Sequence, residues 1–279
     1  MPIETIVSQS VSQPVSRNSL KTFLLFVLFL LFIDPNAFAV LTILQNNFGD
    51  NGNAATNNNK LVVGYLQATG SGNLMVIGIM NDVGLSVTGV SDGTNNFKQF
   101  PNANGDDTTN GTTFETDVWY LPQTTSGKNT FTVTYSGNST HFQSAEFWEV
   151  SGFTNPVVDT AAVVNSGTSN ASQNDIGAAV TTSSTKGFVV GEVITQGNVS
   201  GGDPLAGNEF TSGGLADDGG NGYVSLISTT AASHQPQWGD NNASNLFTSS
   251  TAAFKEASGG GLFVRGGLTV QGRLTVKAN

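Results

Sequence analysis

Hydrophobic and polar positions along this chain follow a period of two far more often than a period of 3.6. The clearest case is NTFTVTYS, residues 129–136, where Phe131, Val133 and Tyr135 share one face and threonines fill the other. That pattern predicts a strand with one face in the core and one in water. NLMVIGIM (73–80) and GFVVGEVIT (187–195) are apolar on both faces, which predicts central strands covered on both sides. LVVGYLQ (61–67), LSVTGV (85–90), TDVWYL (116–121), FQSAEFWEV (142–150), GYVSLIST (222–229) and STAAFKEA (250–257) complete the series. Between them lie Gly/Asn/Asp-rich stretches such as SDGTNN and NANGDDTTNG, the residues that turns demand. Many strands without helical crossovers predict an all-β fold, an antiparallel β-sandwich of jelly-roll-like form with long loops.

Both ends depart from this pattern. FLLFVLFLLFI, residues 23–33, is an unbroken apolar run preceded by Arg17 and Lys21. Asp34-Pro35-Asn36 breaks it, and Ala37-Phe38-Ala39 follows. A positive region, a short apolar helix, a breaker and an A-x-A site read as a secretory signal peptide over 1–39, cut after Ala39. Eleven helical residues reach only about 16 Å, too short for a ~30 Å hydrocarbon core, so no stable membrane span is expected after cleavage. The body is then 40–257, and 258–279 is a tail that begins with a glycine linker.

The tail GLFVRGGLTVQGRLTVKAN carries Leu262, Val264, Leu268, Val270, Leu274 and Val276, all at even positions and therefore on one face of an extended strand. Such a face must fold back on its own sandwich or join the sheet of a neighbour, and these residues are the candidates for assembly. Charge favours contact with an acidic surface. The body holds eighteen acids against five lysines, while the tail holds Arg265, Arg273 and Lys277 and no acid. The net charge of −10 also argues against nucleic acid as a partner. The chain has no cysteine, which removes disulfides, thiol catalysis and cysteine-ligated zinc from consideration.

Five segments occur in a telling order: GNLMVIGI, VTGVSDGTNNFKQF, VWYLPQTTSGKNTFTVTYSG, AEFWEVSGFTNPVVD and STAAFKEA, spanning about residues 72–257. Together they resemble a loosely characterised family of secreted bacterial modules with the pattern GNLLVVA, VTDSxGN, TVTVTFSG, EYSG, NPLD and AAFK. The resemblance implies a jelly-roll-like module of bacterial surface and extracellular proteins, and no reaction. Where the family has EYSG, this chain has Glu149-Val150-Ser151-Gly152, with Trp148 before it.

Candidate chemistry is sparse. His141 and His234 invite a serine–histidine–acid triad, yet no G-x-S-x-G elbow frames a serine, and structural roles are expected for both. Glu146 and Glu149 are the tempting carboxylate pair for a glycoside hydrolase, the third-ranked function; a strand would set them on opposite faces. Glu192, inside an apolar run, is expected to be buried with a raised pKa. Adjacent carboxylates in polar loops, Asp106-Asp107 and Asp217-Asp218, are the candidates for a calcium ion. Trp119 and Trp148 lie in strands and are expected in the core, whereas Trp238, in SHQPQWGDNN, is the candidate stacking platform for a glycan. The expected function is a secreted, non-enzymatic protein with a structural or adhesive role, whose partners are copies of itself or other surface proteins. The alternative is a carbohydrate-binding module, with calcium.

Overall fold

The computed structural model describes residues 39–51, 59–81, 85–101, 105–107, 114–138, 142–170, 172, 174–196, 208–215 and 220–257. The chain divides into a leading unit, Met1–Val40, and a body from Leu41 onward. Residues 1–38 of the expected signal peptide, and the whole tail 258–279 with its six assembly residues, lie outside the described residues. Among the described residues every regular element is a strand, and no helix is long and apolar enough to cross a membrane.

The strands are antiparallel and form stacked sheets. A six-stranded sheet runs β1 (Thr42–Asp50), β9 (Gln143–Ser151), β3 (Leu74–Asn81), β7 (Phe114–Leu121) and β5 (Lys98–Gln99), with β6 (Gly105–Asp107) also on β7. A five-stranded sheet runs β10 (Pro156–Thr168), β18 (Leu246–Glu256), β13 (Gly187–Thr195), β15 (Asn221–Ser228) and β14 (Thr211–Leu215). A three-stranded sheet of β2 (Lys60–Gly64), β8 (Thr130–Tyr135) and β4 (Val87–Ser91) covers the outer face of the first. Two ribbons pair β11 (Asn174–Ile176) with β17 (Gln237–Gly239), and β12 (Val180–Thr181) with β16 (Ser233–His234). Residues from these ribbons share a core with the outer face of the five-stranded sheet.

Period two explains the three cores. In β3, Leu74, Val76 and Met80 join the core between the two large sheets, while Met75, Ile77 and Ile79 join the core beneath the three-stranded sheet. In β18, Leu246, Ala252 and Phe254 face the first of these, and Phe247 and Ala253 face the ribbons. A strand covered on both sides must be apolar on both, as NLMVIGIM and GFVVGEVIT are. β8 instead alternates buried Phe131, Val133 and Tyr135 with threonines that are exposed or half-buried.

The two halves of the body repeat one topology. In Thr42–Ser151 the order is first strand, last strand, an early strand, a late strand and a short edge strand: β1-β9-β3-β7-β5. In Pro156–Glu256 the same order appears as β10-β18-β13-β15-β14. Each half covers one face of its large sheet with its own smaller strands. The remaining apolar faces are then buried against each other, which joins the halves through the core of Val76, Val118, Phe188, Val190 and Phe254.

Candidate functional site

The carboxylates that could perform chemistry are placed by strand alternation. Glu146 and Glu149 do lie on opposite faces of β9: Glu146 shares its side with Trp148, and Glu149 with Phe147. Glu149 is fully engaged, accepting from Gln45 Nε2 at 2.6 Å, Gly70 N at 2.8 Å and Asn73 Nδ2 at 2.6 Å. Glu146 accepts from Asn46 Nδ2 at 3.1 Å, and its Oε2 is buried without a partner. Burial pushes the Glu146 carboxyl up to about 8 against the opposing hydrogen bond from Asn46, so it is protonated at neutral pH. Glu192 behaves as its apolar neighbours predict. It is 1% exposed, and burial, reinforced by the Asp117 charge, holds it well above the normal carboxylate range. It sits between the large sheets beside Tyr223, whose hydroxyl pairs with Ser144 Oγ at 2.8 Å. None of these three acids has open access to a substrate.

For His234, raised in the sequence as a triad candidate, the structure supplies partners that the sequence did not indicate. His234 is buried; its Nε2 lies 3.0 Å from Ser228 Oγ and its Nδ1 2.8 Å from Glu209 Oε1. That is the connectivity of a serine–histidine–acid triad. The serine is not placed for attack. Ser228 is 3% exposed and its hydroxyl lies 2.7 Å from the Thr230 carbonyl, a stronger acceptor contact than the imidazole offers. Thr182 Oγ1 also stands 3.2 Å from Nε2 and 3.0 Å from the same carbonyl. The group ties the 228–234 hairpin to β12, a structural role. His141 lies outside the described residues.

Among the described residues, an accessible relief lies on the three-stranded sheet. An open depression of about 610 Å³ is lined by Lys60, Thr88, Ser91, Asn96, Thr132 and Thr134, with Phe97 and Trp119 in its wall. Thr132 and Thr134 belong to the outward half of the NTFTVTYS alternation, Thr88 comes from β4, and Val62, 59% exposed, stands opposite Thr132. One rim is a tight turn. Asp92 Oδ1 accepts from Thr94 N at 2.9 Å and Asn95 N at 2.7 Å, and Gly93 takes φ 83°, which only glycine adopts without strain. Partial burial raises the Asp92 carboxyl, but the hydrogen bonds from Asn95 and Thr94 and the charge of Lys128 outweigh it and hold the group below its normal value. Hydroxyls that both donate and accept, one cation and an aromatic edge make a surface suited to a polyol or an extended peptide.

The glycan platform expected at Trp238 is corrected by the structure. Trp238 is 0% exposed and packs with Val189, Val193, Phe210 and Val224. Its polar neighbours in sequence belong to a ribbon folded over the five-stranded sheet, so the ring points inward and no face is free for stacking. Asp106 and Asp107 are not in a loop at the backbone level but in β6, opposite Glu115 and Phe114. Asp217 and Asp218 lie outside the described residues. Among the described residues no three acids or histidines come together as a metal cluster.

In comparisons with known proteins, no family model matches this chain and no curated protein matches it.

Proposed function

We propose that this is a secreted, non-enzymatic β-sandwich protein with a structural or adhesive role at the cell surface or in an extracellular matrix. The observation that carries the reading is the division of its polar groups. The carboxylates suited to hydrolysis are sealed between sheets, while the accessible relief is hydroxyl-lined and open. Contact with a partner then rests on surface complementarity. The export signal over 1–39, the likeness to secreted bacterial modules and their jelly-roll-like form belong to the same proposal. Two large antiparallel sheets packed face to face support that form. The tail would add a strand to a second copy, its basic residues meeting an acidic body.

A second reading, carbohydrate binding, is favoured by the depression beside Trp119 rather than by Trp238. One experiment separates the two. Exported protein is sized by light scattering with and without residues 258–279, and both forms are applied to a glycan array. Oligomers that vanish on truncation, without glycan retention, support assembly. Glycan retention lost in Thr132→Trp, which fills the depression, supports the second reading. A monomer that retains no glycan would sink both.

A further inference from the structure

At one end of the five-stranded sheet, oxygens from four segments converge. Ser169 follows β10, Asp175 lies in β11, Thr195 ends β13, and Asp240 follows β17, beside Asn245 and Leu246 at the entry to β18. Ser169 Oγ lies 2.6 Å from Asp175 Oδ1, 3.2 Å from Asp240 Oδ2 and 3.3 Å from the Asn245 carbonyl. Thr195 Oγ1 lies 2.8 Å from Asp240 Oδ2 and 3.1 Å from the Leu246 carbonyl. A hydroxyl has one proton, so Ser169 can serve only one of the two carboxylates; the Asn245 and Leu246 carbonyls already accept from Ser169 N and Gln196 N, each at 2.9 Å. Asp240 Oδ1 is provided for separately, by Asn245 Nδ2 at 2.6 Å and Asn242 N at 2.9 Å.

An independent observation points the same way. Asp175 is 0% exposed, and its Oδ2 has no hydrogen-bond partner. An orphaned carboxylate oxygen in the interior is costly unless a positive charge or a proton meets it. No cationic side chain pairs with Asp175 or Asp240 among the described residues. The orphaned Asp175 Oδ2 and the missing cation have one common remedy.

We propose that a calcium ion is held between Asp175 and Asp240, with the hydroxyls of Ser169 and Thr195 and the carbonyls of Asn245 and Leu246 as the neutral oxygens around them. Calcium takes about six to eight oxygens at roughly 2.3–2.6 Å, from carboxylates, hydroxyls and carbonyls in irregular array. Oxygens that share one such ion stand about 3 Å apart, close to the 2.6 and 3.2 Å from Ser169 Oγ to Asp175 Oδ1 and Asp240 Oδ2. The donors are all hard oxygens, which disfavours zinc and copper. The ion would pin four segments of the second half in a chain that has no disulfide to do so. The competing occupant is a proton: burial and the neighbouring Asp240 carboxylate push Asp175 up to about 7 against the hydrogen bond from Ser169.

The test uses the full chain stripped with EDTA. Calcium should raise Tm by about 5–10 °C at a concentration a hundredfold above its dissociation constant. Terbium should bind in its place and luminesce when tryptophan is excited, because Trp238 stands directly opposite Asp175 in the ribbon. Asp175→Asn imitates the protonated acid and should fold while losing both responses. Ser169→Ala, which spares both carboxylates, should weaken calcium several-fold and so report even if Asp175→Asn does not fold. A variant with Asp106, Asp107, Asp217 and Asp218 all changed to Asn should keep both responses. Absence of a calcium-dependent Tm shift in the native chain would overturn the proposal. So would responses that survive Asp175→Asn, or that vanish when Asp106, Asp107, Asp217 and Asp218 are changed.

Discussion

A Cβ built on Gly78 of β3 would stand 2.5 Å from Glu192 Oε2 of β13, so glycine at one position and the buried acid at the other are a single feature. Tyr223 crowds the same point at 3.3 Å. Gly78→Ala therefore forces the two large sheets apart or displaces the acid, and should lower stability by about 1–3 kcal/mol in urea unfolding. Glu192→Ala removes the obstruction. In a double-mutant cycle the two changes should couple, with the pair less destabilised than the sum of the singles. Strict additivity would show that the acid does not occupy the space above Gly78.

Stability should fall as pH rises from mildly acidic to neutral. Unfolded Glu146 releases its proton near 4.5, whereas in the fold burial keeps it to about 8. Between those values the native state holds a proton that the unfolded state does not, so unfolding free energy declines by about 1.4 kcal/mol per pH unit for this group. The contribution is complete below 4.5 and is lost as pH passes through the folded value. Glu192, which burial and the Asp117 charge also raise, acts in the same sense. Asp92 and Asp159 act in the opposite sense. Partial burial raises each, but hydrogen bonds from Asn95 and Thr94, and from Ser183 and Lys255, prevail and hold both low. Their support is present at neutral pH and disappears on strong acidification. Urea midpoints across pH should peak near mild acidity, and Glu146→Gln should flatten the neutral limb. A stability that rises steadily from pH 5 to 8 would contradict the burial of a protonated Glu146.

Trp238→Ala should cost about 3–5 kcal/mol, the loss expected for a large aromatic removed from a packed core. Its effect should appear in the thermal transition. Any change in glycan retention should follow loss of fold, whereas Trp119→Phe should alter retention with the fold intact if the depression binds sugars.

The serine–histidine–glutamate group should prove structural. His234→Ala, which strips Ser228, Thr182 and Glu209 of a common partner, should lower Tm by several degrees. Ser228→Ala should leave any background ester hydrolysis unchanged. A specific hydrolysis abolished by Ser228→Ala would restore the triad as an active site.

Alternation of apolar and polar residues along the chain settles much of the local architecture. Phe131, Val133 and Tyr135 face inward, β3 and β13 are covered on both sides, Glu146 and Glu149 diverge, and Glu192 is buried among apolar neighbours. All of these follow from alternation within a few residues, which no distant contact can reverse without exposing a whole apolar face. Other features depend on which strand lies against which. β10 pairs with β18, so Thr168 meets Leu246 and Ser169 comes to lie against Asp240. Trp238 lies in a short polar stretch whose local pattern suits an exposed loop, and it is buried because a ribbon folds over the five-stranded sheet. The repeated topology of the two halves is likewise invisible in local pattern, because pairing order is a property of sheets. Burial of a single residue in a short segment is set by what covers it, and here the covering elements come from far along the chain.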